Sequence, residues 1–208
     1  MYIIVSMTLT EQMGFFLLFF FSVIFREICR GYVALFFGDT TGYNARRLTA
    51  NPLKHIDFFG TIFLPIMFVI FGLPAIGWAK PMPIRFDALH TRTARILVAT
   101  SGILANTFLI LVSLSIAALA KGVFHAEPAI TAPFFLLAYL NIILVIFHAI
   151  PIPPLDGFLL LSQIKWPFLQ RMLRRIATLN PLLLFLVILV IWNILYPLVE
   201  MIYALLVT

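Results

Sequence analysis

Long apolar runs divided by short, polar and mostly basic stretches set the pattern of this chain. Segments 12–37, 94–120, 132–150 and 181–206 each stay apolar for the ~20 residues a bilayer requires, or somewhat longer, and read as spanning helices. A fifth apolar stretch, 58–79, is punctuated by Gly60, Pro65, Gly72, Pro74 and Gly77. That density of helix breakers suits a broken or re-entrant element better than a straight span. Loop charge decides between the two. If 58–79 crosses the membrane, the basic 46–54 loop and the loop with Arg171, Arg174 and Arg175 face opposite sides. If it enters and returns, the basic loops 38–57, 80–93 and 162–180 share one face, with the nearly neutral 121–131 connection opposite. The second arrangement follows the positive-inside rule throughout. The polar stretch 42–57, with its Gly, Asn and Pro, has room for a short strand or two at the membrane surface. The expected fold is therefore an all-α integral membrane bundle of about four spanning helices plus a re-entrant hairpin, with minor β content. It forms a single domain over 1–208, with 181–206 as its C-terminal transmembrane helix.

Composition sharpens this picture. Hydrophobic residues make up 63% of the chain and charged residues 11%, far from the balance of a water-soluble domain. The formal charge of +6 is scattered over 46–54, 80–95 and 165–175 rather than gathered in one tract. It therefore indicates cytoplasmic loops, not a nucleic-acid surface. Cys29 is the single cysteine, so no intrachain disulfide is expected. No cationic stretch precedes the first apolar run, so a cleaved signal peptide is not expected. No internal repeat is visible.

Two segments carry unusual chemistry. The first apolar run contains Arg26-Glu27-Ile28-Cys29-Arg30-Gly31, followed by Gly38-Asp39. Three ionisable residues inside a span demand a pairing or functional explanation. Positions 26 and 30 project from one helix face. With His at both, the segment would be the His-Glu-x-x-His zinc motif, in which the glutamate is general base to the metal-bound water. The second segment, His148-Ala149-Ile150-Pro151-Ile152-Pro153-Pro154-Leu155-Asp156-Gly157, places proline-broken backbone and a carboxylate beside an apolar span. Such backbone is tolerated at membrane depth only where it is buried in protein or lines a cavity.

The order of these segments resembles the site-2 protease family of intramembrane zinc metalloproteases (peptidase family M50), in its compact prokaryotic branch. Between the two segments the resemblance rests on Arg47-Leu48-Thr49-Ala50-Asn51-Pro52-Leu53-Lys54-His55-Ile56-Asp57 and on Gly60-Thr61 with Pro65. It continues through Gly77-Trp78-Ala79-Lys80-Pro81-Met82-Pro83-Ile84 and Ser101-Gly102-Ile103-Leu104-Ala105-Asn106. It covers about 11–161, which would be the core of the domain. By this resemblance Glu27 stands at the general base and Asp156 at the third zinc ligand. Arg26 and Arg30 occupy the two histidine ligand positions, and His148 that of an asparagine that helps hold the substrate strand. A guanidinium offers no lone pair to zinc and carries a permanent charge, so the family's hydrolytic mechanism cannot run here in its usual form.

Each of these residues also has a plainer reading. Arg26 and Arg30 are expected to pair with Glu27 and Asp156; the alternative is snorkelling towards an interface. Glu27 is then an inherited carboxylate rather than a working base. His148 is expected to make a polar contact, although an imidazole beside Asp156 also suits a new metal site. His55, His90 and His125 read as loop residues, and Cys29 as helix packing.

Two functions follow. The first is an inactive relative, a pseudoprotease without cofactor, that binds transmembrane segments of other proteins as a regulator. Its other partner is the lipid bilayer of a prokaryotic cytoplasmic membrane, with the basic loops and former active site towards the cytoplasm. The second is an active intramembrane zinc metalloendopeptidase, working through altered ligands or with histidines lost only in this chain. A transport role is suggested by the intramembrane charges alone.

Overall fold

The computed structural model describes residues 9–63, 66, 79–153 and 155–207. Their contacts group into two units, 1–88 and 89–208. In the first, helix α1 runs Leu9–Phe36 and a single turn, α2, spans Thr41–Asn44. The stop between them is encoded locally. Gly38 takes φ 97°, and the Gly38 and Asp39 amides donate to Leu35 O (3.0 Å) and Ala34 O (2.9 Å). This is the Schellman arrangement, whose left-handed residue costs a glycine least. A 3-10 turn at Pro52–Lys54 and a π-helical turn at Phe58–Phe63 follow. Residues 79–85 then form no regular secondary structure.

The second unit comprises α3 (Arg92–Gly122), α4 (Pro128–Ala149), α5 (Asp156–Leu161), α6 (Pro167–Ala177) and α7 (Pro181–Val207). The Thr91 side chain caps α3 by accepting from Ala94 N at 3.0 Å. Proline opens α4, α6 and α7, at the position where its missing N–H is harmless. The buried face of α3 includes Ala94, Ser101, Gly102, Ala105, Ser113 and Ala117. Small residues at this helical spacing let a neighbouring backbone come close. Ile110, Ile142 and Val199 join α3, α4 and α7 in one cluster. Beside it, Tyr139 donates its hydroxyl hydrogen to Glu200 Oε1 at 2.7 Å, giving the α7 carboxylate a partner inside an apolar interface.

Two expectations are corrected. No strand occurs among the described residues, so the minor β content is absent there. The 42–57 stretch forms turns instead. In 79–85, Pro81 and Pro83 cannot donate to a ladder, and side-chain carboxylates accept from Met82 and Arg85. Nor do the described residues show four spans. Two described helices, α3 and α4, are long and apolar enough to cross a membrane, both with mean hydropathy 2.3. In α1 the apolar run is interrupted by Arg26, Glu27 and Arg30, and in α7 the described apolar stretch is the shorter Asn193–Leu206. Most of the expected re-entrant segment, 64–65 and 67–78, lies outside the described residues.

The exteriors of α3 and α4 identify their solvent. Only 28% and 33% of their most apolar windows are buried, and Leu104, Phe108, Leu111 and Leu119 of α3 are more than half exposed. An apolar surface this continuous fits a membrane-embedded protein rather than one surrounded by water.

Candidate functional site

In the first unit, α1 places Arg26 and Arg30 one turn apart with Glu27 beside them, and all three are buried. The Arg26 guanidinium donates through Nη1 to Glu27 Oε1. Arg30 Nη1 lies 3.9 Å from the same oxygen. The other oxygen, Oε2, accepts the main-chain N–H of Met82 at 2.6 Å. A carboxylate bound at both oxygens, by a cation and by an amide, anchors the 79–85 segment to the helix.

Three further contacts hold that segment. Lys80 N donates to His55 O at 2.8 Å, Arg47 Nη2 donates to Lys80 O at 2.6 Å, and Arg85 N donates to Asp39 Oδ2 at 2.7 Å. Burial alone would raise the Asp39 pKa. Hydrogen bonds from the Thr41 hydroxyl, Thr41 N and Arg85 N, with the Arg85 charge, outweigh it and keep the carboxyl below its ordinary value. His55 is fully buried, with Arg47 Nη2 3.5 Å from Nδ1 and Thr49 O 2.8 Å from Nε2. A guanidinium can only donate, so Nδ1 accepts and the Nε2–H donates to Thr49: the imidazole is neutral. Burial pushes the His55 pKa down and outweighs the Thr49 carbonyl, which favours the cation; the Arg47 charge adds to the lowering. Around this loop, Tyr43, Asn44, Arg46, Leu48 and Thr49 line an open recess of about 440 Å³. Sequence reasoning assigned no role to Arg47 or Asp39. Their signals are an Asp-Thr-Thr turn directly after a helix stop and an arginine ahead of an Asn-Pro turn.

In the second unit, His148 and Asp156 flank the proline loop that joins α4 to α5. The His148 Nδ1–H donates to Leu144 O at 2.8 Å, and the ring meets Phe147 edge-on at 5.4 Å. Asp156 is fully buried at the start of α5. Ile150, Ile152 and Leu155 pack together under Phe147, Ile191 and Leu195. Gly157 makes the turn possible, because a Cβ there would overlap Ala149 O and lie 2.8 Å from Ile150 O. His90 and His125 are exposed, the latter at φ 49°.

Arg26 and Arg30, which the resemblance puts at two ligand positions, do not fit zinc. Arg26 and Arg30 are hydrogen-bond donors with no lone pair to give. Among the described residues no group of three or more His, Cys, Asp or Glu is placed to hold a metal ion.

No protein-family model matches the chain, and no solved structure matches it. A curated protein named "Putative zinc metalloprotease YwhC", from Bacillus subtilis (strain 168), is 31% identical over 156 residues. The aligned region covers 70% of this chain and 66% of that protein, so the chain spans just under two thirds of its relative's length. The chain is thus a distant relative of a bacterial protein named as a zinc metalloprotease.

Proposed function

We propose that this protein is a site-2-protease-like membrane protein that has lost zinc hydrolysis and still holds transmembrane segments of other proteins, as a regulator of them. The double engagement of Glu27 carries the reading. The carboxylate at the general-base position is bound by Arg26 and by Met82 N–H, with a second arginine beside it. A base must be able to take a proton from water, and this carboxylate instead fastens main chain to helix. The 79–85 segment, held by four contacts to its own unit, and the recess at 43–49 support retained binding, since a membrane-protein segment held by main-chain hydrogen bonds needs a fixed neighbour. The apolar helices and the bacterial relative support a prokaryotic membrane location. The basic loops are assigned to the cytoplasmic face by the positive-inside rule.

The relative's name favours a second reading, an active intramembrane zinc metalloendopeptidase with altered ligands. The two diverge in whether a bound segment is cut. With a photo-crosslinking residue at Tyr43 or Thr49, transmembrane peptides are expected to crosslink intact in lipid vesicles. Crosslinking no stronger than from Leu104 or Phe108 on the lipid-facing side of α3 would remove the retained groove. Chelator-sensitive cutting of the peptide would favour the protease.

A further inference from the structure

Helix α6 has a face that neither the protease resemblance nor the proposed regulator uses. Its eleven residues rise about 16 Å, half the thickness of a bilayer core, so it cannot span. At 100° per residue, Phe168, Leu169, Met172, Leu173 and Ile176 share an arc of about 140°, while Arg171, Arg174 and Arg175 share a separate arc of about 100° that begins beside Phe168. The protein covers only part of the apolar side. Leu173 is 3% exposed, but Phe168 is 60% and Met172 40% exposed. Trp166, one residue before the helix, is 61% exposed and lies 5.9 Å from the Phe168 ring. All three arginines and Lys165 are exposed as well. Between Asp156 and Glu200 the sequence contains no acidic residue, so no carboxylate along that stretch offsets their charge.

The helix is also held in place. The Gln170 side-chain amide donates to Ser162 O at 2.9 Å and to Ile164 O at 2.7 Å, binding the first turn of α6 to the chain that leads into it. Pro167 fixes the entry to that turn. The result is a short, rigid amphipathic helix with an aromatic pair at its start and cations along one side, in a chain whose neighbouring helices are membrane-type.

We propose that α6 lies in the bilayer interface and binds the headgroups of anionic phospholipids. Phe168, Met172 and Trp166 would enter the acyl boundary, where indole rings settle. Arg171, Arg174 and Arg175 would grip phosphate oxygens, to which the guanidinium fork is suited. The unopposed positive charge favours a lipid with net negative charge over a zwitterionic one.

The full-length protein tests this in vesicles, once Trp78→Phe and Trp192→Phe leave Trp166 as the sole tryptophan. Brominated phosphatidylglycerol and brominated phosphatidylcholine are then compared as quenchers of its fluorescence. Phosphatidylglycerol is expected to be preferred at low salt, with the preference falling up to roughly fivefold for each arginine replaced. The combined Arg171→Gln, Arg174→Gln and Arg175→Gln variant should be quenched equally by both lipids. Raising the salt in the unsubstituted arginine background should weaken the preference without any change of sequence. Equal quenching in that background, a preference that survives the triple substitution, or a Trp166 that neither lipid quenches would each overturn the proposal.

Discussion

Arginine at positions 26 and 30 changes what the carboxylate between them does. Glu27 is bound by Arg26 on one oxygen and by Met82 N–H on the other, so its removal takes a charge partner from a buried cation and an acceptor from a buried amide. Breaking a buried pair from one side costs about 3–5 kcal/mol, because the surviving charge loses its partner. Glu27→Ala should therefore lower stability in detergent by about 3 kcal/mol, and adding Arg26→Leu should recover part of it; a thermal-melt comparison of the two variants reads this directly. His55 gives a pH signature. Its folded pKa lies below the unfolded value near 6.5, so its contribution is fully present above pH ~6.5 and is lost as pH falls through the folded pKa. Melting followed across pH 7.5 to 5 should show an acid-side loss that His55→Gln reduces. The charged trio was legible in sequence because ionisable residues inside an apolar run are conspicuous. The main-chain side of the site was not. The contacts of Glu27 with Met82 and of Asp39 with Arg85 bridge 55 and 46 positions, and no local periodicity records them.

At the scale of elements, the apolar periods of α3 and α4 were readable, as was the stop at Gly38. Strand content was not, because composition alone cannot say whether the Gly, Asn and Pro of 42–57 bound a strand or make the turns that form there. The number of spans was overestimated for a related reason. Hydrophobic length alone gives little weight to Arg26, Glu27 and Arg30, yet each charged residue near a helix centre costs about 2.5–3.5 kcal/mol on insertion scales. We propose the topology of the α3–α4 pair from charge. Arg92 and Arg95 lie at the start of α3, and the basic 165–175 stretch follows α4, while the connecting turn carries Lys121 and Glu127. Cysteines introduced at Arg95 and Arg174 should label from the cytoplasmic side, and one at Glu127 from the other. Labelling of Arg95 and Glu127 from the same side would contradict the two crossings.

For the whole molecule, the membrane-type exteriors of its helices and its likeness to a protein named as a zinc metalloprotease stand beside a donor set that zinc does not fit. We propose that arginine has displaced metal chemistry and left a binding protein. Metal analysis tests it most directly, on the purified chain and on its Arg26→His/Arg30→His variant after equal exposure to zinc. The account predicts well under one zinc per molecule for the natural sequence, and a clear gain for the variant, whose imidazoles supply the missing lone pairs. Stoichiometric zinc on the natural sequence, lost when Asp156 is replaced by alanine, would contradict it.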